Sequence, residues 1–274
     1  MLTINKLITI SKKYRSELFE KFLLLGQGHP GSTFSIIEIL VALYYGNFIR
    51  FKKKKFYDKL IISKGHATVG VYPILRDFKI LSKKDWNNWG RAKKKGGVNK
   101  NNSKLRIFGN IFIPGIEATT GSLGHGVGIG CGLAYSFKQK KINKNVFIII
   151  SEGELYEGST WEAFLFASNY NLSNLVIIID INSLIILGKT KDCMNLGNIK
   201  NKINSFGFET RTCDGHQFNS IFKALKFNLN NKPKCILAKT IKGKGFSLME
   251  NKANWHYWNT LTLNEIKKCR SEIK

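Results

Sequence analysis

Paired cysteines are missing from this sequence. Its five, Cys131, Cys193, Cys213, Cys235 and Cys269, are odd in number and far apart, with no CxxC or CxxxH spacing. That pattern excludes an obvious zinc site or dithiol couple, so the cysteines read as reduced packing residues. Long apolar runs are missing too, since none approaches the roughly 18 residues of a membrane helix. The N-terminal "MLTINKLITISKKYRSELFEKFLLLG" carries charge throughout and reads as an amphipathic helix, not a signal peptide. No membrane association is expected, and the expected location is cytoplasmic. There is no internal repeat and no low-complexity linker. Acidic residues are scarce, 18 against 44 Lys plus Arg, which leaves a net charge of +26. Such an excess ordinarily suggests nucleic acid, and "RFKKKKFYDK", "RAKKKGG" and "FKQKKINKNVF" are local basic clusters. Yet lysine greatly outnumbers arginine, the better bidentate reader of phosphate and guanine, and the lysines are spread along the chain. With the excess of Asn, Ile and Phe, this points to compositional drift and to no specific nucleic-acid partner.

What is present is an alternation of buried strands and helices. The apolar runs "KLIIS", "VFIII", "LVIIIDI" and "KCILAKT" each stop at a polar or glycine-containing turn, as buried parallel strands do. Between them lie the helical segments "GSLGHGVGIGCGLAYSFK", "STWEAFLFASNYN" and "FNSIFKALKFNL". The pattern predicts an α/β fold, a doubly wound, mainly parallel sheet with helices on both faces. "STFSIIEILVALYYG" is apolar almost all round and reads as one helix buried in the domain or at a subunit interface. A long loop is expected from about Trp86 to Glu117, and a surface helix in "LTLNEIKKCRSEIK".

Ligands of such sheets bind outside the carboxyl ends of the strands, and unusual residues collect there: Ser151 to Glu154, Asn182 to Leu184, and Lys242 to Gly245. Glu152 and Asn182 follow two strands thirty positions apart. If those strands are neighbours, a carboxylate and an amide oxygen meet, the kind of donor pair that holds Mg²⁺ alongside water and phosphate oxygens. The other reading of the local acids, Glu154, Glu157 and Glu162, is that they stabilise the start of the following helix. "GSLGHGVGIGCG" either brings backbone N–H groups close to a ligand or packs a small-residue helix on the sheet. Four of the five histidines, His29, His66, His125 and His216, follow glycine, and the fifth is His256. Singly each could be a turn or core residue; together with the Glu152 and Asn182 pair they suggest a site for a diphosphate and a sugar.

Five strings, "GQGHPGSTFSIIEILVALYYG", "SKGHATVGVYPIL", "PGIEATTGSLGHGVGIGCGLA", "EGELYEGSTWEAF" and "KTIKGKGFSLMENKANWH", occur in an order and spacing that resemble the N-terminal half of transketolase, in the form split into two chains. The resemblance runs from about Leu24 to His256. It implies that 1–274 is a single diphosphate-binding domain for thiamine diphosphate, with the pyrimidine-binding and C-terminal domains on a partner chain. It implies a divalent cation, Mg²⁺ or else Ca²⁺ or Mn²⁺, held by Glu152, Asn182 and the Leu184 carbonyl. Gly153 and Glu154 would belong to the cofactor site, with His66 and His256 at the diphosphate or the donor sugar. Gly121 and Leu123 would touch the aminopyrimidine, and Ile186 would pack on the cofactor. His29 and His256 would act on the substrate, and Glu157 would link two active sites. The implied activity is transfer of a two-carbon ketol unit from a ketose phosphate to an aldose phosphate by a two-plus-two heterotetramer with the C-terminal subunit. The glutamate that protonates the aminopyrimidine would come from that partner, so this chain would not catalyse alone. Three departures stand out: the family's GDG reads Ser151-Glu152-Gly153, His125 replaces a glutamine, and Asn110 falls where the family has a substrate histidine. Alternatives are the corresponding half of 1-deoxyxylulose-5-phosphate synthase and a non-catalytic interaction subunit.

Overall fold

The computed structural model describes residues 2–52, 55–90, 103–226 and 231–273. In chain order the elements are α1 (Ile4–Leu25), α2 (Pro30–Phe34), α3 (Ile37–Tyr45), β1 (Phe51–Lys52), β2 (Lys55–Phe56), β3 (Lys59–Ile62), α4 (Tyr72–Asp77), α5 (Lys83–Asn88), α6 (His125–Gln139), β4 (Val146–Ser151), α7 (Gly158–Asn169) and β5 (Leu175–Ile181). There follow β6 (Leu184–Ile185), β7 (Gly188–Lys189), α8 (Thr190–Cys193), α9 (Ile199–Ser205), β8 (Glu209–Asp214), α10 (Phe218–Leu225), β9 (Lys234–Lys239) and α11 (Leu263–Glu272).

Five strands form one parallel sheet in the order β3-β4-β5-β9-β8. The isoleucine runs explain why it carries helices on both faces. Successive side chains of a strand point to opposite faces. Phe147 and Ile149 of β4, with Val176 and Ile178 of β5, join one buried cluster with residues of α1, α3 and α10. Val146, Ile148 and Ile150, with Leu175, Ile177 and Ile179, join a second one with residues of α6, α7 and α9. A strand apolar at every position thus feeds two cores, as parallel sheets require.

The long first helix is capped at its start by the Thr3 hydroxyl and ends at Gly26, whose φ of 63° is the left-handed conformation that glycine takes easily. At the other end Thr262 and Glu265 form a reciprocal capping box on α11. The single helix expected over "STFSIIEILVALYYG" is interrupted: Ile36, at φ −110° and ψ 7°, leaves helical geometry and separates α2 from α3. Both pieces are buried, as expected. Strand β8 was not foreseen, because "ETRTCD" alternates at a half-exposed edge instead of forming an apolar run. The long loop expected over 86–117 starts later, since Trp86 to Asn88 end α5; residues 91–102 lie outside the described residues, as does the basic cluster at 91–97, and the described remainder packs irregularly with Leu105 and Ile113 buried. No helix among the described residues is long and apolar enough to cross a membrane.

Candidate active site

A cavity of about 340 Å³ opens at the carboxyl ends of β3, β4, β5 and β9, with His29, His66 and His256 in its lining. The segment after β3 turns into a short 3-10 stretch, Gly65–Val71, that carries His66. A side chain at Gly65 would meet the Thr120 carbonyl at 2.2 Å, so glycine there lets the loop carrying Gly121 and Leu123 close against His66. The ring centroids of His29, His66 and His256 are 5.1–5.4 Å apart. Burial, with Lys242 nearby, pulls His29 down to about 4 and His256 to about 3; burial, then Lys64, pulls His66 well below its usual value. All three are therefore neutral near pH 7 and can offer one donor and one acceptor each. The His29 Nδ1 is buried without a partner, which leaves it free for a ligand.

The other two histidines lie elsewhere. His125 is exposed in the first turn of α6. The His216 Nε2 accepts the Ile241 N–H (2.8 Å), so its Nδ1 carries the proton and donates to Glu38 (3.0 Å), which Arg15 also grips at 2.5 Å. That is a structural tie between α1, α3 and the chain after β9.

Two lysines supply the charge. Lys64 is fully buried and donates to Asp180 (2.5 Å), whose carboxylate also accepts from Ser35 (2.7 Å), Asn182 (3.1 Å) and Thr240. Burial alone would raise the Asp180 carboxyl, but the Lys64 ammonium and these hydrogen bonds outweigh it and hold it below the usual range. Lys242 is 1% exposed and sits 3.2 Å from the His256 Nδ1; burial lowers it to about 8, leaving it mostly charged at pH 7.

The Asn182 amide can point only one way. Its Nδ2 must face the acceptor-only Asp180, so its Oδ1 takes the Leu184 N–H (3.2 Å) and keeps a second lone pair. Strands β6 and β7 pair Leu184 with Lys189 across a two-residue turn, and the Thr190 N–H bonds to the Ser183 carbonyl (3.1 Å). Hydrogen-bonded and unbonded pairs alternate along an antiparallel ladder, so the Leu184 carbonyl is left outside it. Gly153 permits the hairpin's approach: a Cβ there would lie 2.8 Å from Ile185 Cγ2.

The expected residues divide into two groups. Gly121, Leu123, Gly153, Asn182, Leu184 and Ile186 line the cavity with the three histidines. Glu152, Glu154 and Glu157 do not. Glu152 is buried beside the hairpin, accepting from the Ser183 N–H (2.9 Å) and the Thr190 hydroxyl (2.7 Å). Glu154 is fully buried behind the Gly121 loop, accepting from the Gly124 N–H (2.9 Å) and from Ser63, and burial raises it to about 7. Glu157 is exposed at the start of α7, and Asn110 turns its Oδ1 onto the Phe112 N–H (3.0 Å). Lys64, Asp180 and Lys242 were given no role by the sequence, although an aspartate inside "LVIIIDI" signals a buried polar contact.

Residues 20–273 match the transketolase thiamine-diphosphate-binding domain. This chain belongs to the transketolase family. It is 33% identical over 254 residues to an apulose-4-phosphate transketolase subunit of Phocaeicola vulgatus, covering 90% of this chain and 86% of that protein. It is 34% identical to the subunit of the same name from Actinobacillus succinogenes, over 84% of this chain and 82% of that protein. Human transketolase is 33% identical over 84% of this chain, but that match spans only 36% of the human protein. The crystal structure of Campylobacter jejuni transketolase superposes with a TM-score of 0.87 and 27% identity over 99% of this chain and 43% of that one.

The residues present suit a transketolase cofactor site. The buried Lys242 offers a positive charge to a diphosphate, and the unpartnered His29 Nδ1 a free hydrogen-bonding position to a substrate. For a divalent cation, the Asn182 Oδ1 and the Leu184 carbonyl are hard oxygen donors at the cavity, and the Glu152 carboxylate, outside the lining, reaches the turn between them through the Ser183 N–H. Among the described residues no cationic side chain pairs with buried Glu152, whose oxygens each keep a lone pair beyond the one already used.

Proposed function

We propose that this chain is the N-terminal subunit of a two-chain transketolase that moves a two-carbon ketol unit from a ketose phosphate to an aldose phosphate. The observation that carries this reading is the match, at 33–34% identity, to two relatives that are themselves named as transketolase subunits. In this reading the pyrimidine-binding and C-terminal domains would reside on a partner, and 1–274 would be one diphosphate-binding domain of a cytoplasmic two-plus-two assembly.

When bound, thiamine diphosphate supplies the nucleophilic carbon that takes up and releases the ketol unit. Lys242 and the neutral imidazoles of His66 and His256 would hold the diphosphate and the donor sugar. His29 would bond a substrate hydroxyl through its free Nδ1. Glu152, Asn182 and the Leu184 carbonyl would hold Mg²⁺, with Ca²⁺ or Mn²⁺ as substitutes. Gly121, Leu123, Gly153 and Ile186 would shape the wall, and Glu154 would fix the Gly121 loop from behind. Glu157, exposed outside the cavity, would act across the subunit interface. The cavity mouth carries exposed Phe108, Ile186 and Tyr257, apolar surface that a partner would cover.

The assembly is tested by co-expressing the chain with its candidate C-terminal partner and measuring native mass and bound thiamine diphosphate. A two-plus-two complex that retains the cofactor through gel filtration is expected. Chains that elute separately, or a complex that holds no cofactor at saturating Mg²⁺, would count against the reading.

A further inference from the structure

Glu152 closes a ring of hydrogen bonds. One carboxylate oxygen accepts the Thr190 hydroxyl and the other the Ser183 N–H, while the Thr190 N–H bonds back to the Ser183 carbonyl. The ring ties the end of β4 to both ends of the β6–β7 hairpin, the segment that brings Leu184 and Ile186 into the cavity wall. Thr190 is 6% exposed, and its own carbonyl accepts the Tyr156 hydroxyl at 3.0 Å, so the residue has little freedom to turn away. Ser183, at φ 59°, holds the left-handed conformation that few residues with side chains adopt, which sets its N–H toward Glu152.

A glutamate has one more rotatable bond than an aspartate, so as an ion ligand it loses more freedom on binding. A hydrogen bond to each oxygen removes that freedom beforehand and still leaves a lone pair on each for an ion. Carboxylates that bind metals are commonly oriented by such partners. We infer that Thr190 is a positioning residue for the divalent cation, presenting the Glu152 carboxylate beside the Asn182 and Leu184 oxygens. This rests on the thiamine-diphosphate reading above and adds a residue to it.

The test measures the Mn²⁺ concentration that half-saturates thiamine diphosphate binding to the complex with the C-terminal partner. Thr190→Val keeps the shape and removes the donor; Thr190→Ser keeps the donor. The valine variant is expected to need roughly tenfold more Mn²⁺, the serine variant about the same as wild type, and all three to bind cofactor alike once Mn²⁺ saturates. Thr190→Ala serves the same purpose should the valine variant not fold. A merely structural hydroxyl would lower thermal stability without moving the Mn²⁺ requirement, and that outcome overturns the inference while leaving the cofactor reading intact. Wild-type protein that binds no thiamine diphosphate at any Mn²⁺ concentration overturns both.

Discussion

Replacing Lys64 by methionine is expected to lower the melting temperature of the chain by about 6–20 °C. Lys64 and Asp180 are both fully buried and in contact at 2.5 Å. Removing one member of such a pair leaves the other charge in a medium that solvates it poorly, at a cost of about 3–5 kcal/mol. For a domain of this size each kcal/mol moves the melting point by about 2–4 °C. Asp180 keeps the hydroxyls of Ser35 and Thr240 and the Asn182 amide, which places the effect inside the range instead of beyond it. The double variant Lys64→Met with Asp180→Asn removes both charges, keeps an acceptor oxygen, and is expected to recover more than half of the lost stability in thermal melts. Equal melting temperatures for the single and double variants would mean that the pair's charges do not set the stability of this region.

The second large effect concerns Lys242. It is buried beside His256, and among the described residues no carboxylate pairs with it, so its charge is available to an anionic ligand. Truncating one side of a buried charge pair costs a ligand about 2–4 kcal/mol, roughly 30- to 1,000-fold in affinity. Lys242→Met is therefore expected to weaken thiamine diphosphate binding by that factor at any Mg²⁺ concentration, with no loss of stability in the free protein. Asn182→Ala should behave differently, weakening binding at low Mg²⁺ and recovering when Mg²⁺ is in excess, because it removes an ion donor and not a direct contact. Calorimetric titration of both variants across Mg²⁺ concentrations separates the two roles. If excess Mg²⁺ restores Lys242→Met as fully as Asn182→Ala, the lysine is not a direct diphosphate contact.

The sheet was legible because its strands are nearly pure apolar runs, and a run that feeds two cores cannot hide among loops. The edge strand β8 was missed for the converse reason: one face is open, so its sequence mixes polar and apolar residues. The split between α2 and α3 was missed because burial on all sides removes the periodicity that would have marked the break at Ile36. In the site, the strand-end residues Asn182 and Gly153 and the Gly121 loop came to the cavity as their positions after β5, after β4 and before α6 suggested. The gathering of His29, His66 and His256 was not readable from the Gly-His dipeptides, which equally marked His125 and His216. The resemblance singled out the first three, and the fold brings them to one cavity. Nor could one-dimensional spacing reveal that Asp180 fixes the Asn182 amide, since that depends on a lysine more than a hundred positions away.

The most direct measurement is turnover by the chain assembled with its C-terminal partner, in xylulose 5-phosphate and ribose 5-phosphate with thiamine diphosphate and Mg²⁺. Apulose 4-phosphate, for which two subunit relatives are named, is assayed beside xylulose 5-phosphate as a second candidate donor. Ketol transfer that needs both chains and the cofactor is the expected result; an assembled, cofactor-loaded complex that transfers nothing from any of these donors would contradict it.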